Sequence, residues 1–200
     1  MTPDIVFTLV GFAVATLFSP GPNNMMLMAS GANYGVRRTL PHLIGVALGF
    51  PVLAAAVGLG LGALFDAWPP ARLALEVLSI VFLLWLAWKV ATAAAPGDRA
   101  AEGRPLTFFQ AASFQWVNPK AWAMAMGAMS LYASTGGWTR VLGVATVFAA
   151  LGLVSATTWT LIGTQIRRLL TSRARLRAFN WAMAGLLVAS IWPTVAPALR

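Results

Sequence analysis

Cysteine is absent and histidine occurs once, so the chain can form no disulfide and supplies too few soft ligands for a Cys- or His-based metal cluster. No aspartate lies at the centre of a long apolar run, and no glycine-rich phosphate loop followed by Lys and Ser or Thr is present. These absences argue against a metal transporter, a thiol redox enzyme and an ATP-driven pump, and no cofactor is expected. Charge is scarce too, at 10% of 200 residues. What takes its place is apolar: 59% of the residues are hydrophobic and the mean hydropathy is +0.76, more than a soluble domain of this size needs for its core.

Six stretches, roughly 5–28, 41–64, 73–95, 108–132, 139–162 and 179–199, each reach the length of about 20 residues that a membrane-crossing helix requires. The expected fold class is therefore an all-α integral membrane protein with six transmembrane helices, filling residues 1–200 as a single transmembrane domain. A cleavable leader is not expected, because the first basic residue, Arg37, follows the first apolar run. The net charge of +9 invites a nucleic-acid partner, but its distribution points to membrane orientation instead. Ten of the 14 basic residues lie after the first, third and fifth stretches: Arg37, Arg38, Lys89, Arg99, Arg104, Arg167, Arg168, Arg173, Arg175 and Arg177. The positive-inside rule makes that side cytoplasmic and puts both termini outside; Arg72, Arg140 and Arg200 fall on the other side.

The turn-rich segment "APGDRAAEGRP" divides the six helices into three and three, so the halves run oppositely through the bilayer. The expected organisation is an inverted repeat, with repeat one at about 1–95, a cytoplasmic connection at about 96–107 and repeat two at about 108–200. Helix one carries "SPGPNN" and its counterpart, helix four, carries "QWVNPKAW". Matched interruptions of this kind point to a transporter's binding site.

Proline removes a backbone donor and glycine loosens a helix, and in lipid an unwound segment survives only where protein or a wet cavity satisfies it. Asn118 before Pro119 reads as a helix N-cap with proline at the first helical position, and Pro22 after Gly21 allows the same restart. Two half-helix N-termini would then meet near mid-membrane, suited to a carboxylate, while carbonyls from the preceding half-helices suit an ammonium. The ligand expected from this chemistry is a zwitterionic amino acid. The candidate substrate-binding residues are Pro20, Gly21, Pro22, Asn23, Asn24, Gln115, Asn118, Pro119 and Lys120. The alternative is that these prolines only kink helices for packing.

Lys120 sits where a bare cation costs roughly 2.5 to 3.5 kcal/mol, so it either contacts substrate or snorkels to the cytoplasm. Gln115 reads either as a neighbour of Asn118 or as an interfacial helix-end amide. Glu76 reads mainly as a surface partner of Arg72 and His42 as an interfacial residue, with proton coupling as the second reading of each. Thr157, Thr158 and Gln165 are weaker pathway candidates, since Thr commonly bonds its own helix backbone. The pairs Gly31/Gly35, Gly45/Gly49 and Gly58/Gly62 have the spacing of close helix contacts, and most Trp residues fall near helix ends as interfacial anchors.

The segment "FSPGPNNMMLMASGANYGVRRTLPHLIGVALG" resembles the first-helix signature of the LysE/RhtB amino-acid exporters. "FLLWLAWK" and "FQWVNPKAW" resemble their third- and fourth-helix motifs, and "SPGPNNMMLMASG" with "FQWVNPK" is most similar to the cysteine/O-acetylserine exporter branch. The resemblance covers essentially the whole chain. It implies a six-helix exporter in the bacterial inner membrane, driven by the proton gradient, with its functional stretch at Pro20 to Asn23 and Asn118 to Lys120. The third-helix pattern departs at Ser79, Phe82 and Ala87, where the family usually has Gly, Tyr and Gly, and the lost Tyr hydroxyl suits a less polar ligand. The expected function is alternating-access export of a small neutral amino acid or derivative of the cysteine, O-acetylserine, homoserine or threonine class, not catalysis. The partners are the substrate and the lipid bilayer, with no nucleic acid; a homodimer is left open. The alternatives are an integral membrane enzyme or a passive channel using the same cavity.

Overall fold

The computed structural model describes residues 1–93, 104–134 and 137–192, whose regular structure is entirely helical. In chain order the elements are α1 (Pro3–Phe18), α2 (Pro22–Gly58), a 3-10 turn (Leu61–Ala63), α3 (Leu64–Ala67), α4 (Pro70–Ala91), α5 (Phe108–Phe114), a second 3-10 turn (Gln115–Val117), α6 (Pro119–Tyr132), α7 (Gly137–Leu169) and α8 (Arg173–Ala189). Proline occupies the first turn of α1, α2, α4 and α6, where its missing N–H would have had no intrahelical partner.

Among the described residues α2, α4 and α7 are long and apolar enough to cross a membrane. The first expected span emerges as α1 and the start of α2, interrupted at Ser19 to Gly21. The fourth emerges as α5, the second 3-10 turn and α6, interrupted at Asn118. The expected second span is the far limb of α2, a helix that begins ahead of Arg37 and Arg38 and is parted from the near limb by non-helical backbone at Gly35, where φ is +75° and ψ is 171°. Hydropathy falls at the arginines, but the backbone need not break there; only the positive φ, which glycine tolerates, marks the joint. Most of the connection 96–107, with Arg99, and the end of the last expected span, with Arg200, lie outside the described residues.

Two apolar clusters hold the helices together. Leu9, Phe50, Leu53, Trp122, Ala125 and Phe148 join α1, the far limb of α2, α6 and α7. Met26, Leu27, Leu83, Leu86, Phe114 and Leu187 join the near limb of α2 to α4, α5 and α8. Polarity is arranged opposite to that of a water-soluble protein. Asn24, Asn33, Thr39, Gln115, Asn118 and Asn180 are buried, while Phe7 is 80% exposed, Phe109 78% and Trp88 66%. An apolar exterior around a polar interior is what a bilayer selects, since polar groups facing hydrocarbon are costly.

The most extensive helix pairing is α2 with α7. It is close because small residues line it: a Cβ at Gly31 would run into Thr160 O, and one at Gly163 into Met28 O. Gly45 and Gly49 likewise let α5 approach, with Phe108 O and Ala112 Cα in the way of any added methyl. We expect Gly163→Ala to destabilise the protein by about 1 to 3 kcal/mol through overpacking against backbone that cannot yield. Gly11→Ala, which meets nothing within 4 Å, should be neutral or stabilising. Thermal unfolding of the two purified variants in detergent checks this; equal melting temperatures would show that the contact does not hold α2 to α7.

Candidate functional site

The two interruptions meet. Asn23, in the first turn of α2, donates from Nδ2 to Gln115 Oε1 at 2.8 Å and accepts at Oδ1 from Gln115 Nε2 at 3.1 Å. Gln115 Nε2 also donates to Ala111 O at 3.0 Å, so this fully buried amide closes the α5 end while holding the start of α2.

The chain satisfies the carbonyls freed at Ser19 to Gly21 with side chains. Asn24 Nδ2 donates to Leu17 O at 2.7 Å and to Ser19 O at 2.9 Å, and Ser155 Oγ of α7 donates to Leu17 O at 2.9 Å. Lys120 Nζ donates to Ser19 O and Ser19 Oγ, both at 2.8 Å, and to Pro20 O at 3.3 Å. Gly21 makes room for it: a Cβ there would sit 2.8 Å from Lys120 Cδ and 2.9 Å from Nζ. Each carbonyl left bare in hydrocarbon would cost several kcal/mol, which is what these donors prevent.

The second interruption is treated in the same way. Asn118 Oδ1 caps α6 by accepting from Lys120 N at 3.1 Å, the N-cap that the Asn-Pro pair predicts. Trp122 Nε1 donates to Trp116 O at 2.9 Å, and Ser79 Oγ of α4 donates to both Leu75 O and Val117 O. By contrast the start of α2 has no side-chain cap at Gly21, which leaves its first N–H groups available.

Two cavities flank the meeting point. One, of about 500 Å³, is lined by Gly21, Asn23, Asn24, Asn118, Lys120 and Ser155 among others, with Phe50 and Phe148 as its apolar wall. The other, of about 1360 Å³, has Pro20, Gly21, Pro22, Pro119 and Lys120 at its floor and Arg72 and Glu76 among its walls. Gly21 and Lys120 line both, so the crossed proline segments form the partition between them. All nine residues singled out in the sequence thus converge here, eight on a cavity wall and Gln115 behind it. Among the described residues no group of three or more His, Cys, Asp or Glu could hold a metal ion.

Three expectations are corrected. Lys120 does not snorkel; its stem spans to the end of α1, where carbonyl oxygens hold the ammonium. Gln115 is not interfacial, because an amide with a reciprocal partner is satisfied inside. His42 is buried at 2% exposure, and neither ring nitrogen has a partner. Thr158 does bond its own helix, donating to Val154 O at 2.8 Å. Sequence reasoning missed Ser19, Ser79 and Ser155, whose hydroxyls carry no signal until the fold brings them to a bare carbonyl. It also missed Asn33 and Asn180, which exchange bonds of 2.8 and 3.1 Å between α2 and α8.

The sequence matches the LysE type translocator family over residues 14–192. Over 193 residues it is 31% identical to the cysteine/O-acetylserine efflux protein of Escherichia coli (strain K12), covering 94% of this chain and 96% of that one. The proteins of the same name from Escherichia coli O9:H4 (strain HS) and Shigella sonnei (strain Ss046) match with the same identity and coverage. No solved structure matches. The chain belongs to the LysE-type translocator family.

Proposed function

We propose that this protein exports a small neutral amino acid or derivative, of the cysteine, O-acetylserine, homoserine or threonine class, across the bacterial inner membrane. Six spans form two oppositely oriented repeats, at about 1–95 and 108–200, joined on the cytoplasmic side, with both termini outside. The repeats rock to open the partition first to one face and then to the other, driven by the proton gradient. The observation that carries this reading is the meeting of the two proline interruptions between two cavities, reinforced by relatives named for efflux of cysteine and O-acetylserine.

The chemistry divides between the two ends of the substrate. Its carboxylate binds the uncapped N–H groups of Asn23 and Asn24 at the positive end of α2, with the Asn118 amide nitrogen beside them. Its ammonium finds the carbonyls of Ser19 and Pro20 already occupied by the Lys120 ammonium. Lys120 is then a tethered stand-in: it holds those oxygens while the site is empty and yields them when the substrate arrives. The apolar wall of Phe50 and Phe148 accepts the side chain.

Cells expressing the chain should resist toxic amino-acid analogues, and Asn118→Ala should remove that resistance at unchanged membrane abundance. If expression alters neither resistance nor the efflux of any amino acid, the transport reading fails. Pro22→Ala and Pro119→Ala should each lower efflux at least tenfold while changing inserted protein less than twofold; parallel losses would mark the prolines as packing devices only. Lys120→Met should likewise lower efflux at least tenfold, since Pro20 O loses its donor and Ser19 O keeps only Asn24 Nδ2; wild-type efflux in that variant would exclude the stand-in role.

A further inference from the structure

A lysine ammonium has three N–H bonds to place, and the end of α1 offers Lys120 three acceptors. Ser19 O and Ser19 Oγ lie at 2.8 Å and Pro20 O at 3.3 Å. Ser19 Oγ donates its own proton to Thr16 O at 2.8 Å, so toward the lysine it can only accept. The set fits a protonated amine. A neutral amine would turn its lone pair toward one of the oxygens and leave it unserved.

The oxygens that hold this charge are all neutral. On the wall of the smaller cavity no other described residue is ionisable; α1, α2 and α7 face the lysine with Thr16, Gly21, Asn23, Asn24 and Ser155. On the larger one α4 contributes Arg72 and Glu76, of opposite sign, and Ser190 follows the end of α8. The buried His42 lines a separate cavity with Lys89 and bonds to none of these oxygens. Lys120 is half-buried and borders both cavities at the partition, so it can exchange a proton with water in either. The α-ammonium of an amino acid carries the same three N–H bonds and seeks the same oxygens. Two cations cannot share one set of acceptors, so one charge must leave as the other arrives. Lysine, unlike arginine, can let its charge go as a proton while its side chain stays attached.

We propose that Lys120 carries the coupling proton and exchanges it for substrate at this one set of oxygens. The assignment rests on the export reading and names its coupling step. When substrate enters from the cytoplasmic side, its ammonium takes Ser19 O, Ser19 Oγ and Pro20 O. One Nζ–H bond of Lys120 breaks, the electron pair stays on the nitrogen, and the proton passes to water on that side. When the partition opens outward, a proton from the outer solvent bonds to the same lone pair. The restored ammonium retakes the oxygens and displaces the substrate. Each cycle brings one proton in for one zwitterion out, so one positive charge moves inward and both the pH gradient and the voltage drive export.

Proteoliposomes bearing the full chain are loaded with a pH-sensitive dye and, in turn, with L-cysteine, O-acetyl-L-serine, L-homoserine or L-threonine, while potassium and valinomycin hold the voltage at zero. As substrate leaves, the lumen is expected to acidify by about one proton per molecule, whichever way the protein is inserted. Lys120→Met should abolish the acidification and lower net efflux at least tenfold, while exchange of labelled for unlabelled substrate falls less than threefold. Exchange never passes through the empty carrier, the state in which the lysine is needed. Lys120→Arg keeps a cation for the oxygens but cannot release a proton, so it too should show no acidification, and it decides the matter even if Lys120→Met does not insert. Three results would overturn the proposal and leave export standing: wild-type efflux without acidification, acidification at the wild-type ratio in either variant, or exchange lost in step with net efflux in inserted Lys120→Met protein. Wild-type vesicles that exchange none of the four amino acids would defeat the export reading itself.

Discussion

A carbonyl released where a helix unwinds has no water to turn to inside a bilayer, and the fold of this protein is organised around meeting that demand. Leu17, Ser19 and Pro20 are served by Asn24, by Ser155 from α7 and by Lys120 from α6. Trp116 and Val117 are served by Trp122 and by Ser79 from α4. The donors come from four helices, so the interruptions are stable only when α2, α4, α6 and α7 are assembled around them. Neither interruption is a local property of its own segment. Each is a point at which the two halves of the chain complete one another.

The near limb of α2 shows what this implies for motion. It is bounded by Gly21 at one end and by the positive φ of Gly35 at the other. Between them it is tied by two reciprocal amide pairs, Asn23 with Gln115 and Asn33 with Asn180. Apolar side chains gain little from each other over lipid tails, so such bonds and close small-residue contacts set the register of membrane helices. Interhelical bonds of this kind are worth about 0.6 to 2 kcal/mol each. A limb bounded at both ends by non-helical backbone and tied by a few such bonds has a definite resting position, a combination that suits the alternating access proposed above.

The sequence was most legible where a residue type does something no other can. Proline after Asn118 and after Gly21 marks helix starts whatever the surroundings, because a missing N–H is harmless only there. The all-helical class follows from hydropathy in the same way. Less legible was where the far limb of α2 begins, since arginines lower hydropathy without ending a helix, and only the backbone reveals Gly35 as the joint. The partners of Lys120 and Gln115 were illegible for a different reason. Their oxygens and amides lie 92 to 101 positions away, and pairings at such separation leave no periodicity to read. His42 misled because the neighbouring arginines suggested an interface, although the fold turns this side chain inward against α4.

Lys120 makes the dependence between the halves concrete. Its Cα lies in the first turn of α6, where the partial positive charge of the helix N-terminus disfavours a cation. Its ammonium lies on carbonyls that follow the last turn of α1, where the partial charge is negative and a cation gains about 0.3 to 1 kcal/mol, more when partly buried. The same charge is therefore misplaced on its own helix and well placed on another. If α1 and α6 separate, Pro20 O loses its donor, Ser19 O is left with Asn24 alone, and the ammonium falls back on an N-terminus that repels it, unless another cation and another anion take the vacated positions. A zwitterion supplies both at once: an ammonium for the oxygens of Ser19 and Pro20 and a carboxylate for the uncapped N–H groups at the start of α2. In the proposed transport cycle a substrate of this kind would complete the electrostatics of the opened partition, and an empty partition would stay closed on its lysine.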